Sequence, residues 1–306
     1  MQDLFVNGCS YATGWHNGKA VNQKELPTIT SKDEFTDTLS WVQHFANLNG
    51  VENCWNHSIV AKPIEMTYTD TVGFCQQYKD KYKTFENLFT VIELTDPGYR
   101  QFDPVTLKGM SGNELESFNK DYSIIPIVFR TEKSLIDKEV SPWKSIFVKM
   151  KKNTDYLADD QFAEQIDVSE VLEGELARHK TEKDFAHHTK NMNTLTHLEL
   201  SREVIDNLSN YLLTENIPHV MYWVGGRQDE FKNIMDKYYK AYMKTNRMIP
   251  LNTYTGIDYG LKHSIKPKGV HPDQAGHIAT AKFLNNYVKL HNLTRKPQLD
   301  YIESSI

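Results

Sequence analysis

Two short segments near opposite ends of the 306-residue chain hold the residue types of nucleophilic catalysis. The first is Gly8-Cys9-Ser10-Tyr11-Ala12-Thr13-Gly14, a small-residue turn that offers the Ser10 hydroxyl at the start of a helix, where free N–H groups stabilise developing negative charge. The second is Lys268-Gly269-Val270-His271-Pro272-Asp273-Gln274-Ala275-Gly276-His277, in which His271 precedes a proline and is thereby biased out of helix, its ring projecting from a loop. A neutral imidazole within reach of a serine takes its proton and makes the oxygen a nucleophile toward an acyl carbonyl. Alone, each residue has a plainer reading: a serine in a Gly-flanked turn is most often an N-cap, and a loop histidine is most often solvated. Their chemistry depends on a fold that brings them together.

The elements that would do so are legible as alternating strands and helices. Leu4, Phe5 and Val6, stopped by Asn7-Gly8, read as a buried strand. The run FTDTLSWVQHFANLNG reads as a helix with Leu39, Val42, Phe45, Ala46 and Leu48 on one face and Asn49-Gly50 as its stop. VENCW reads as a second strand, residues 65 to 84 as a helix and FTVIEL as a third strand, the βαβαβ grammar of a parallel sheet. After residue 196 the grammar resumes with the helical LTHLELSREVIDNLSNYLL, the strand HVMYWV, the helical QDEFKNIMDKYYKAYMK, a short fifth strand MIPLN and the closing helix AGHIATAKFLNNYVKLH. The expected fold is therefore α/β, a five-stranded parallel sheet flanked by helices, built from residues 1–96 and 196–292. Residues 97–195 are charged, lack clean alternation and read as a large insertion, a lid or recognition subdomain; residues 293–306 read as a C-terminal tail. In such sheets ligands bind beyond the carboxyl ends of the strands, where Ser10 and His271 both fall.

The Gly8-Cys9-Ser10 turn with Thr13-Gly14, paired with Gly269-Val270-His271-Pro272 and Gly276-His277, resembles the first and last blocks of the SGNH (GDSL-type) hydrolases, and especially the branch that writes Gly-Cys-Ser for Gly-Asp-Ser and is often encoded by bacteriophages. The resemblance covers residues 1–96 and 196–292. It implies a three-layer α/β/α sandwich of the flavodoxin-like kind and an esterase, lipase or carbohydrate deacetylase, with Ser10 as nucleophile and His271 as base. It implies an oxyanion hole from the Ser10 backbone, from Ser58, which stands where the second block has glycine, and from the third block. There the chain reads Thr95-Asp96-Pro97-Gly98-Tyr99-Arg100, with Pro97 at the place of the asparagine donor, so Thr95, Gly98 and Arg100 are the substitutes. Lys268 occupies the place of the catalytic acid, three residues before His271, which leaves a dyad or a triad completed by a backbone carbonyl, Asp258 or Asp273. The expected reaction is hydrolysis of an acyl ester, with a carbohydrate O-acetyl group preferred, through an acyl-enzyme; the alternative is a catalytically weak or inactive binding or virion-associated structural protein on the same scaffold. Transfer of the acyl group to an acceptor other than water would use the same residues.

Aromatic residues near strand ends commonly hold sugar rings or acyl chains. Tyr11, Trp15, Tyr99 and Arg100 are accordingly expected at the substrate mouth, while Trp55 and Trp223 suit the core. Cys9 reads as a small buried residue, since in the register of Ser10 it faces the core. Arg227, after Gly225-Gly226, reads equally as a cleft residue or part of a loop, and His277 as a capping or packing residue. His179, His187, His188 and His197 lack zinc spacing, no GxGxxG or P-loop pattern occurs, and neither a metal nor a cofactor is expected.

Composition narrows the rest. With 35 Lys and Arg against 40 Asp and Glu, the net charge of −5 gives no basic surface for nucleic acid or anionic membrane. No stretch approaches the roughly 18 apolar residues of a membrane span, and the first residues lack the basic and apolar regions of a signal peptide, so a cytoplasmic location is expected, in a host cell or a virion if the chain is phage-encoded. Cys9, Cys54 and Cys75, odd in number and without paired spacing, read as reduced thiols.

Overall fold

A computed structural model describes residues 1–13, 40–59, 62–95, 100–101, 112–130, 143–158, 163–166, 194–225, 245–250, 253–265, 267 and 271–297. The chain is α/β. Strands β1 (Asp3–Asn7), β2 (Asn53–Asn56), β3 (Leu88–Leu94) and β8 (His219–Trp223) form a parallel sheet in the order β2-β1-β3-β8. β1 lies inside the sheet, with Phe5 opposite Trp55 of β2 on one side and Thr90 of β3 on the other.

Alternation along these strands feeds two cores, because successive side chains of a strand point to opposite faces. Leu4, Val6, Phe89, Val91, Val220 and Tyr222 enter one core with residues of helices α2 (Trp41–Asn49) and α7 (Gln274–Leu290); Phe5, Ile92, Met221 and Trp223 enter the other with residues of α3 (Ile64–Tyr82) and α5 (Thr194–Thr214). Each large side chain fully buried in this way stabilises the fold by roughly 1.5–3 kcal/mol. Trp55 and Trp223 are core residues, and Phe74 of α3 stacks on Phe5 with ring centroids 3.9 Å apart.

Local signals set the helix ends. Ser40 caps α2: its hydroxyl accepts from Val42 N–H and its own N–H donates to Gln43 Oε1, a capping box, while Gly50 closes the helix at φ 60°. Leu48, expected on the buried face of this helix, is instead 45% exposed, and Trp41 and Gln43 take the inner positions. Residues 35–39, including Leu39, lie outside the described set, as does the helix expected over 228–244.

Among the described residues the parallel sheet has four strands. The fifth segment lies beside β8 and, among the described residues, pairs through the bridge Met221↔Met248, with Met221 N–H on Arg247 O at 2.7 Å and Ile249 N–H on Met221 O at 2.9 Å. Pro250 follows at once and has no N–H to extend the ladder.

Within the expected insertion the structure has a second sheet, antiparallel and in chain order, from β4 (Arg100–Gln101), β5 (Tyr122–Arg130), β6 (Trp143–Lys151) and β7 (Ala163–Ile166), with α4 (Gly112–Asp121) leading into β5. Arg100 and Gln101 of β4 pair with Val128 and Ile127 of β5. Ile125, Ile127 and Val148 of this sheet pack on Ile59 and on Met66 of α3. Past β6, Trp55 Nε1 donates to Leu157 O at 2.9 Å, Gln77 joins Thr154 and Tyr156, and the Tyr156 ring fills the space beside Gly73. No helix among the described residues is long and apolar enough to cross a membrane.

Two interior histidines tie stability to pH. Burial lowers His57 and His219 from 6.5 to about 3, with the positive charges of Lys62 and Arg247 adding to the effect. The unfolded chain then binds more protons than the folded one below pH 6.5, so the stability these groups contribute is full above 6.5 and is lost as pH falls toward 3. Between pH 7 and 5 each should cost roughly 2 kcal/mol. In His219→Gln the loss of stability over that interval, measured by urea unfolding, should be smaller than in the wild type by that amount; equal losses would remove His219 from the account.

Candidate functional site

The carboxyl ends of β1, β2 and β3 converge on one polar region. β1 ends at Asn7, the chain turns through Gly8 and Cys9, and Ser10 opens the short helix α1 (Ser10–Thr13). Of Ser10 the backbone alone is described. The turn rests on Glu93, near the end of β3 and fully buried: Cys9 N–H donates to Glu93 Oε2 at 3.1 Å, Trp41 Nε1 donates to Oε1 at 3.0 Å, and the Tyr222 hydroxyl donates to Oε1. A Cβ on Gly8 would stand 2.6 Å from Glu93 Cβ, so only glycine lets the chain pass this close. Burial raises the Glu93 carboxyl from 4.5 to about 7, and the hydrogen bonds from Tyr222, Cys9 and Trp41 hold it from rising further.

Beyond β2 the chain keeps pairing with β1 and its turn, His57 N–H on Val6 O at 2.8 Å and Ile59 N–H on Gly8 O at 3.1 Å, which sets Ser58 beside the Ser10 turn. Asn56 ties the two segments: Nδ2 donates to Ala12 O at 3.0 Å and Oδ1 accepts from Ser58 N–H at 3.1 Å. The backbone donor expected of Ser58 is therefore engaged. The Ser58 hydroxyl, 9% exposed as a residue, has no hydrogen-bond partner among the described residues and is the group this position offers.

Thr95 also departs from expectation. Its hydroxyl, the intended oxyanion donor, gives its proton to Lys62 O at 2.6 Å, and a hydroxyl has one proton to give. Lys62 is itself wholly buried. Its ammonium contacts Asp70 Oδ2 at 2.5 Å, Asn7 Oδ1 at 2.6 Å and His57 O at 2.8 Å, while Asn7 Nδ2 donates to Thr67 O and Thr71 Oγ1, both at 2.9 Å. Burial pushes Lys62 down and Asp70 up, and each charge pulls the other back. One ion pair thus locks the ends of β1 and β2 and the residue after β3 onto α3.

His271 is half-buried, and Pro272 and Asp273 lead from it into α7. Asp273 is the N-cap of α7, with Oδ1 accepting from Gly276 N–H at 3.1 Å and Oδ2 from Ile265 N–H at 2.7 Å. Asp258 lies in the first turn of α6 (Gly256–His263), where Oδ2 accepts from the Thr255 hydroxyl at 2.7 Å. The neighbours of the two expected catalytic residues meet at Gly260: a Cβ there would stand 2.5 Å from the hydroxyl oxygen of Tyr11, which follows Ser10, and 3.0 Å from Cγ of Pro272, which follows His271. The Tyr11 ring also stacks on His277, with centroids 5.4 Å apart, and His277 Nδ1 accepts from Trp41 N–H at 3.3 Å, so His277 packs as expected.

Tyr11 itself is corrected. It is fully buried, its hydroxyl bonded to that of Thr280, and belongs to the core rather than to a substrate mouth. Trp15, Gly98, Tyr99, Lys268 and Arg227 lie outside the described residues, as do the side chains of Arg100 and His197 and all of His179, His187 and His188. Among the described residues no group of His, Cys, Asp and Glu is arranged to hold a metal ion.

No family model, curated protein or solved structure matches this chain.

Sequence reasoning missed Glu93, Asn56 and the Lys62–Asp70 pair. Two of these left a trace: Glu93 is the one charged residue in the apolar run FTVIEL, and Asp70 falls on the inward face of α3 between Met66 and Phe74.

Proposed function

We propose that the chain is a serine ester hydrolase of the SGNH type, a three-layer sandwich in which the Met248 segment takes the fifth sheet position. The observation that carries this reading is the meeting of Tyr11 and Pro272 on Gly260, since it draws together the two chain segments that bear Ser10 and His271. In the reaction, His271 takes the Ser10 proton as the serine oxygen bonds to the ester carbonyl carbon; the oxyanion then collapses and expels the alcohol, which leaves with that proton. Water activated by His271 cleaves the acyl-enzyme, returning the carboxylic acid and the free serine. The Ser10 amide and the Ser58 hydroxyl are the oxyanion donors best supported by the geometry. A short acyl ester, with a carbohydrate acetate preferred, is the substrate class, and a bacteriophage cytoplasmic or virion protein is the setting that the Gly-Cys-Ser turn suggests.

One observation favours the second reading, a binding or structural protein on the same scaffold: Thr95 and the Ser58 amide are already hydrogen-bonded within the protein. A fluorophosphonate probe separates the two, because it bonds covalently only to an activated hydroxyl. Mass spectrometry should find the adduct on Ser10 and none in His271→Ala; an unlabelled wild type would favour the binding protein.

A further inference from the structure

Glu93 stands out among the buried groups because what surrounds it is matched to a negative charge. Four donors from three elements point at its two oxygens: the Cys9 amide and thiol of the first turn, the Trp41 indole of α2 and the Tyr222 hydroxyl of β8. A buried carboxylate is costly unless its lone pairs are taken up by donors, and here they are. A neutral amide in its place would turn an NH2 group toward the Cys9 or the Trp41 N–H whichever way it was flipped. The contact at Gly8 leaves the turn no room to slide past this side chain.

We propose that Glu93 is the positioning residue of the Ser10 turn: its ionised carboxylate clamps the Cys9 N–H and so fixes where the chain enters α1 with Ser10, and its protonation relaxes that clamp. The inference rests on the reading of Ser10 as the nucleophile and adds to it a group that never touches substrate. On protonation the new O–H turns to the Tyr222 oxygen, and Cys9 N–H is left on a neutral acceptor, a bond roughly half as strong. The titratable groups facing Glu93 are Cys9 and Tyr11 from the first turn, Tyr222 from β8 and Tyr254 from the segment before α6, with His277 of α7 behind Trp41. Burial raises the three tyrosines well above their usual value, so they stay neutral while Glu93 titrates. With Glu93 raised to about 7, the clamp is set above that pH and relaxed below it.

The chain has three cysteines, so cysteine labelled with nitrogen-15 gives a spectrum of three amide lines, with that of Cys9 assigned by its loss in Cys9→Ser. In the full-length wild type the Cys9 line should shift upfield as pH falls from 8.5 to 5.5, with a midpoint near 7, while Cys54 and Cys75 do not follow. In Glu93→Gln that titration should vanish, the Cys54 and Cys75 lines reporting an intact fold. Fluorophosphonate labelling of Ser10 at pH 8 should be about 10- to 100-fold slower in Glu93→Gln, the range expected for a displaced reacting group. Between pH 8 and 6 its logarithm against pH should be steeper in the wild type than in the variant, where the Glu93 carboxyl is absent from the profile. A Cys9 line that does not titrate, or titrates unchanged in Glu93→Gln, overturns the clamp. A titrating Cys9 line with equal labelling rates and slopes makes Glu93 structural only and overturns the positioning role. A wild type that is never labelled overturns the nucleophile reading instead, and the Cys9 line then decides the clamp by itself.

Discussion

Hydrolysis of a chromogenic short-chain acetate should fall by about 10³-fold or more in Ser10→Ala, fall to the same level in His271→Ala, and fall no further in the double variant. The equality matters more than the size. A nucleophile and its base act on one proton transfer, so removing either stops the same step, whereas two independent binding residues would give losses that multiply. The size should be smaller than in a protease with a full triad, because Lys268 stands where an orienting carboxylate is expected. Equal rates for the wild type and Ser10→Ala would remove Ser10 from the chemistry and leave the scaffold as a binding protein.

The second large effect concerns stability. Lys62→Met should destabilise the fold by about 3–5 kcal/mol, because it strands the buried Asp70 carboxylate and takes a donor from Asn7 Oδ1 and from His57 O. Adding Asp70→Leu to Lys62→Met should recover much of that loss, since two charges replaced by apolar groups of similar volume leave nothing unpaired. Urea unfolding at pH 7 reads both. A loss below about 1 kcal/mol in the single variant would mean that water reaches the pair. The same measurement bears on the site, since Lys62 O receives the Thr95 hydroxyl and Lys62 Nζ holds the loop that carries Ser58.

The strands of the parallel sheet could be read from Leu4-Phe5-Val6, FTVIEL and HVMYWV because burial on both faces demands unbroken apolar runs, a signal carried by neighbouring residues alone. What escaped depends on partners far along the chain. Tyr11 reads the same whether its ring meets substrate or, as here, Thr280 and His277. Thr95 and the Ser58 amide looked available because Lys62 O and Asn56 Oδ1 belong to folded geometry, not to a motif. The second sheet hid because β6, WKSIFVKMK, mixes four buried or half-buried apolar residues with three lysines and keeps no clean two-residue alternation.

The seam between α3 and the stretch after β6 limits how this protein can breathe. The Tyr156 ring sits where a side chain on Gly73 would be, and Trp55 gives its single indole proton to Leu157 O. Swinging residues 154–157 away would open a slot along the middle of α3 and leave the indole of an interior tryptophan facing solvent. The stretch is therefore held as a wall rather than a door.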